Sequence, residues 1–189
     1  MLFRFLVLLL GAGLCATAAA ESVTYTIDSR HTFPSFEVRH FDFSLQRGRF
    51  NTTSGRIVFD QAAKKLAVDV TIDANSIDTG LEAMEKHLRK ADFFDVAEHP
   101  TITFKSTNAR FNGETLTALD GELTLRGVTK PVTLNVNTFR CGTHPVSKRP
   151  TCGADAVATI KRSDFGITYG LPAIADDVKL LLNVEAAQQ

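Results

Sequence analysis

Hydrophobic and polar residues alternate with a period of two along most of this chain. Leu66, Val68, Val70 and Ile72 interleave with Ala67, Asp69, Thr71 and Asp73, the pattern of a strand with one face buried and the other in water. The same alternation recurs in Phe36, Val38 and His40, in Gly55, Ile57 and Phe59, in Leu119, Gly121, Leu123 and Leu125, and in Val178, Leu180, Leu182 and Val184. Turn-forming residues separate the runs: Asn112-Gly113, the stretch from Arg126 to Pro131 with its Gly127, and Asp60 to Lys64. About eight strands with short connections predict an antiparallel meander, arranged as a barrel or a sandwich. Closing it into a barrel removes the exposed edges and is favoured for that reason.

One stretch departs from the pattern. Between Ile72 and Phe104, in IDANSIDTGLEAMEKHLRKADFFDVAEHPTITF, a short helical period is set between two strand signals. Asp78 and Thr79 offer side-chain oxygens to the first free amides of a helix, and Thr79 with Glu82 has capping-box spacing, which predicts a start near Gly80. Leu81, Met84 and Leu88 then recur on one face, while Glu82 with Lys86 and Glu85 with Arg89 stand four apart, acid first. So short a helix needs a partner for its apolar stripe, and the strands are the only partner the chain supplies. The helix is therefore expected to cover the barrel interior. Arg89 and Lys90 read as a solvated helix end favoured by the helix dipole.

The same stretch resembles a known family. NSIDTG and HLRKADFFDVAEHPTITF are similar to the central signature of the YceI-like polyisoprenoid-binding proteins. YTIDSRHTFPSFEVRHF and GRFNTTSGRIVFD resemble that family's opening strands, LDGELTLRGVTKPVTLNV its central hairpin and IKRSDFGITYG its closing segment. The resemblance covers nearly all of the mature chain. It implies a lipocalin-like antiparallel barrel in the bacterial periplasm, enclosing a long apolar pocket that holds an isoprenoid or similar lipid chain. The segment between Cys141 and Cys152 departs from the family pattern.

Arg4, an apolar run from Phe5 to Leu10, and small residues ending in Ala18, Ala19 and Ala20 have the pattern of a signal peptide over residues 1–20. Residues 21–189 are then one barrel domain. The apolar run is too short for a transmembrane anchor, and Leu14 stands where a lipoprotein signal before Cys15 would want a small residue. The expected product is periplasmic, without stable membrane insertion. Losing Arg4 lowers the 21 Lys and Arg to 20 against 21 Asp and Glu, a balance that suggests neither nucleic-acid nor polybasic membrane binding. Cys141 and Cys152 close a short loop in an exported protein and predict a disulfide. Metal binding is the lesser alternative, since Cys-x10-Cys around His144 matches no common zinc spacing.

An eight-stranded barrel is just wide enough either to be filled by its own side chains or to hold one slender ligand. Fourteen Phe, no Trp and two Tyr supply large rings without a hydrogen-bonding handle, which suit both a filled core and a pocket for an alkyl chain. The family resemblance favours the pocket. Its expected lining is Phe36, Val38, His40, Phe43, Phe50, Ile57 and Phe59 before the helix, then Leu81, Met84, Leu88, Phe93 and Phe94 in the helical flap, then Phe104, Phe165 and Ile167. His40 shares the inward parity of Phe36 and Val38 and is the polar residue nominated to meet a ligand head group. Arg162 and Asp164 read as a salt-bridged turn between strands.

No HExxH, GxSxG, Walker loop or helix-opening GxGxxG occurs, and the five histidines are scattered. No catalytic residue, metal or cofactor is expected beyond a bound isoprenoid or other lipid. The leading expectation is a non-enzymatic carrier or store for a long-chain amphiphile, with a hydrophobic small molecule as its partner and a homodimer left open. Two alternatives stay beside it: a small lipid-modifying enzyme using His40 or Arg162, and a stress-related partner protein with a filled core.

Overall fold

The computed structural model describes residues 22–188; the expected signal peptide lies outside the described residues. Eleven strands form one continuous sheet. In chain order they are β1 (Val23–Ile27), β2 (Ser35–His40), β3 (Ser44–Phe50), β4 (Thr53–Asp60), β5 (Lys65–Asp73) and β6 (Ile77–Asp78). After the α-helix α1 (Glu82–Leu88) come β7 (Thr101–Asn112), β8 (Thr115–Leu125), β9 (Val128–Thr143), β10 (Pro150–Lys161) and β11 (Ile174–Gln188). Eight strands make a closed antiparallel ring in the order β1-β4-β5-β7-β8-β9-β10-β11, with β11 returning to β1. This is the barrel that the alternation predicts. The other three form a flap: β2 pairs with the first half of β11, β3 with β2, and β6 with β3.

The two ends of the ring are unlike. At one end lie the β4–β5, β7–β8 and β9–β10 turns, and there Phe59 stacks on Phe111 with ring centroids 6.4 Å apart and meets Phe139 edge-on at 5.6 Å. These rings plug the barrel. Near the same end Cys141 and Cys152, directly opposed in the β9–β10 ladder, form the expected disulfide, with Cys152 fully buried. The opposite end carries β6, α1, the loop into β7, and the connection from β10 to β11. The Arg126 guanidinium in the β8–β9 turn ties two of these together, donating to the carbonyls of Ala91 and Gly166.

The helix differs from expectation at its start. Asp78 Oδ1 accepts from Gly80 N–H at 3.0 Å and Thr79 Oγ1 from Leu81 N–H at 3.3 Å. A turn thus precedes the helix and leaves Leu81 in extended backbone. The reciprocal contact of the box goes to Glu85, whose Oε1 accepts from Thr79 N–H at 3.0 Å, and not to Glu82. Glu82–Lys86 and Glu85–Arg89 do pair, at 2.7 and 3.8 Å. Arg89 is not a solvated end: it donates to the carbonyls of Asn75 and Ile77, each at 3.0 Å, and moors the helix to the flap.

Glycine sets the thickness of the wall at two positions. A Cβ on Gly48 would come within 2.5 Å of the Phe36 ring, and one on Gly121 within 2.4 Å of the Phe104 ring. Each ring lies across the bare backbone of the neighbouring strand, an approach closed to any larger residue. Replacing both cysteines by alanine is expected to lower stability by about 3 kcal/mol through loss of loop closure, measured as a shift in the denaturant midpoint. An unshifted midpoint would show that the staple is redundant with the ladder around it.

Candidate functional site: an apolar cavity inside the barrel

The interior is hollow. Between the Phe59 plug and the helical end lies a cavity of about 250 Å³, with walls supplied by inward residues from around the ring. Leu66, Val68, Val70 and Ile72 of β5 alternate into it, as do Val132, Leu134 and Val136 of β9 and Val178, Leu180, Leu182 and Val184 of β11. On β10 the inward positions include Ala154 and Ala156, whose short side chains leave room that larger residues would fill. The cavity is many times the roughly 10–15 Å³ that a single water-sized group requires, so the space admits a molecule larger than water.

Nine of the fifteen predicted lining residues bound this cavity: Phe36, Val38, Phe50, Ile57, Leu88, Phe93, Phe94, Phe104 and Ile167. Phe94 roofs it by packing edge-on against Phe50 at 5.4 Å and tilted against Phe36 at 6.3 Å, so the loop after α1 is clamped to the flap by rings. Phe93 is latched from outside, 4.9 Å from His87 and 5.4 Å from Tyr169.

Six predicted lining residues do not bound the cavity, each for a local reason. Phe43 is 92% exposed, because the left-handed turn at Phe41 and Asp42 ends the inward parity of β2. His40 keeps that parity, but it pairs with Ile174 beyond an irregularity in β11 and packs its ring edge-on against Phe41 at 4.2 Å. Phe59 points inward as expected but is spent in the plug. Leu81 is exposed ahead of the late helix start, and Met84 is half-buried away from the cavity wall. Phe165 is buried within the 3-10 turn Arg162–Phe165.

The salt-bridged turn expected of Arg162 and Asp164 is absent. Arg162 is 5% exposed and borders the cavity, and its guanidinium donates to four backbone carbonyls: Ala175 and Ile174 at 2.9 Å, Tyr169 at 2.8 Å and Ile167 at 3.2 Å. Sequence reading sees the charge but not the irregular connection whose carbonyls need a donor. Burial lowers the Arg162 pKa from its ordinary value, opposed by the charge of Asp176; the group stays cationic. The partner of the turn is Asp176, which accepts from Ser163 N–H at 2.9 Å and Ser163 Oγ at 2.8 Å. Burial alone would raise the Asp176 carboxyl, but these bonds and the charges of Lys161 and Arg162 hold it below its usual value. At the start of the flap, the Arg30 guanidinium holds the Asp28 carboxyl well below the usual carboxylate range, against the opposing effect of burial and with help from His31.

Comparison with known proteins places this arrangement. The model of the YceI-like domain matches residues 25–186. The chain belongs to the YceI-like family. Among relatives of this YceI-like chain, a "UPF0312 protein" of Pseudomonas aeruginosa is 40% identical over 187 residues, covering 96% of each chain. Among solved structures, BcnA of Burkholderia cenocepacia superposes with a TM-score of 0.71 at 25% identity, covering 85% of this chain and 99% of that one. A polyisoprenoid binding domain from Saccharophagus degradans shares the fold, with a TM-score of 0.65 at 18% identity over 88% of this chain and 99% of its own.

Two outcomes are expected from the polar supports of this YceI-like site. Arg162→Lys is expected to destabilise the fold by at least about 2 kcal/mol, because one ammonium cannot serve four dispersed carbonyls and each orphaned acceptor is costly; chemical denaturation measures it. Asp28 and Asp176 have depressed pKa values, so their stabilisation is present above the ordinary carboxylate pKa near 4 and is lost as pH falls through the folded values. Asp176→Asn is therefore expected to lower the melting temperature at neutral pH, with the gap to wild type closing in strong acid. A gap that widens on acidification would contradict this.

Proposed function

We propose that this protein holds one long, flexible apolar molecule, an isoprenoid or similar long-chain lipid, inside the barrel as a periplasmic carrier or store. The observation that carries the reading is the hollow interior: a closed ring whose inner wall is aliphatic and aromatic around a cavity that its own side chains leave unfilled. Protein interiors are close-packed, and lining atoms facing a void forfeit dispersion contacts that an alkyl chain restores. Each methylene removed from water contributes about 0.8 kcal/mol, so a chain of several prenyl units needs no charged anchor to bind.

Three further observations support this reading. The structural neighbour from Saccharophagus degradans is a polyisoprenoid binding domain. The disulfide fits an oxidising compartment. The strands turn polar residues outward, as in the cross-strand pair Arg56 and Asp69, which suits a barrel standing in water and opposes the lipid-facing apolar band of membrane barrels. Of the residues bounding the cavity only Arg162 is titratable, and its donors are engaged with carbonyls. Acid–base chemistry on a bound lipid would need a second titratable group beside it.

Native mass spectrometry of protein purified without detergent is expected to show a co-purifying lipid. The apolar fluorophore N-phenyl-1-naphthylamine is expected to bind in competition with it. Ala156→Phe, which places a ring inside the cavity, is expected to reduce fluorophore binding at least tenfold while the fold persists by circular dichroism. Unaltered binding in a folded variant would exclude the cavity as the site.

A further inference from the structure

The cavity has a plugged end and a flap end, and the most exposed apolar side chains of the flap project from the latter. The turn joining β2 to β3 presents Phe41, Phe43 and Leu45, of which Phe43 is 92% exposed. This is not a frayed tip. Phe41 N–H donates to Ala173 O at 2.9 Å and Phe43 N–H to His40 O at 3.0 Å. Phe41 and Asp42 are held at φ of 49° and 57°, a left-handed conformation that is costly for phenylalanine and that keeps Phe43 pointing away from the barrel. Ala173 precedes Ile174, which bounds the cavity, and the same connection carries exposed Tyr169 against Phe93. The apolar tip is therefore contiguous with the roof.

On the outer face of the hairpin Leu45 stands directly opposite Arg39. Arg39 is exposed and has no carboxylate partner among the described residues. The two tip rings flank the exposed Asp42, and Leu45 and the unpaired Arg39 guanidinium lie side by side one step up the hairpin; this matches a phospholipid surface, with the rings toward the acyl chains and the charged groups at the level of the head groups. A second copy of this chain fits the tip less well. A stable protein interface uses about twenty residues a side, and the tip offers three.

We propose that the Phe41–Leu45 tip docks the protein on a phospholipid bilayer, so that the roof beside it opens onto acyl chains and the ligand passes between membrane and cavity without crossing water. This rests on the lipid-binding reading above. Charge contributes little, so docking tolerates salt.

The test is flotation of the purified protein with phosphatidylcholine vesicles, alongside fluorophore binding in the absence of vesicles. The substitutions are Phe43→Ser and Phe41→Asn, asparagine being at ease with the positive φ, and Val146→Ser on the exposed β9–β10 turn serves as control. Vesicle partitioning is expected to fall about tenfold for each ring removed and to persist in high salt, while Val146→Ser and fluorophore binding stay unchanged. Partitioning that ignores Phe41 and Phe43 overturns the docking surface, as does a concentration-dependent dimer that Phe43→Ser dissolves in place of vesicle binding. Failure of the wild-type protein to bind the fluorophore overturns the lipid-binding reading instead.

Discussion

β11 divides one edge between two partners, and the rest of the molecule follows from where it divides. Its last three residues pair with β1 and close the ring, while Ile174 to Leu181 pair with β2 and carry the flap. Between the two, a ladder is missing and a side chain replaces it. The hydroxyl of Thr32 accepts from the Glu185 amide at 3.1 Å, the group a strand would have paired, and donates at 3.2 Å to the Glu185 carbonyl, which also takes the Asp28 N–H at 2.8 Å. Arg162 does the same for the connection leading into β11. Both residues are buried against backbone groups that they hydrogen-bond, and both border the cavity.

This division explains how a closed barrel can have two ends of unequal firmness. Along the plugged end every strand has its neighbours, rings fill the bore, and a disulfide crosses the ladder. At the other end the flap replaces a direct ring contact, and the cover is a helix of seven residues, a loop and a few aromatic contacts. Elements held by few buried contacts open at lower free energy than elements in a continuous ladder. Local opening therefore costs least where the cavity meets the surface.

The ring was legible in the sequence because period-two alternation and turn residues depend on local geometry alone. Leu66 to Ile72 and Val178 to Val184 do line the interior as their parity requires. Parity failed where the chain stops being regular: Phe43 lies past a left-handed turn, His40 past an irregularity in β11, and Leu81 before a helix that starts one turn-forming step late. Parity is also blind to depth along the bore, so Phe59, correctly inward, belongs to the plug and not to the cavity. The roles of Arg162 and Arg89 are hidden from the sequence for a related reason. Their partners are backbone carbonyls, which every residue owns, so composition and spacing carry no sign of which carbonyls stand unpaired.

Two glycines bear on the calibre of the bore. Gly48 and Gly121 let the Phe36 and Phe104 rings lie flat against adjacent strands instead of standing up into the lumen. A methyl group at either position would displace its ring, and at Gly121 it would also press on the Lys105 backbone carbonyl at 2.6 Å. The inner contour of the cavity is thus shaped by side chains that are not there.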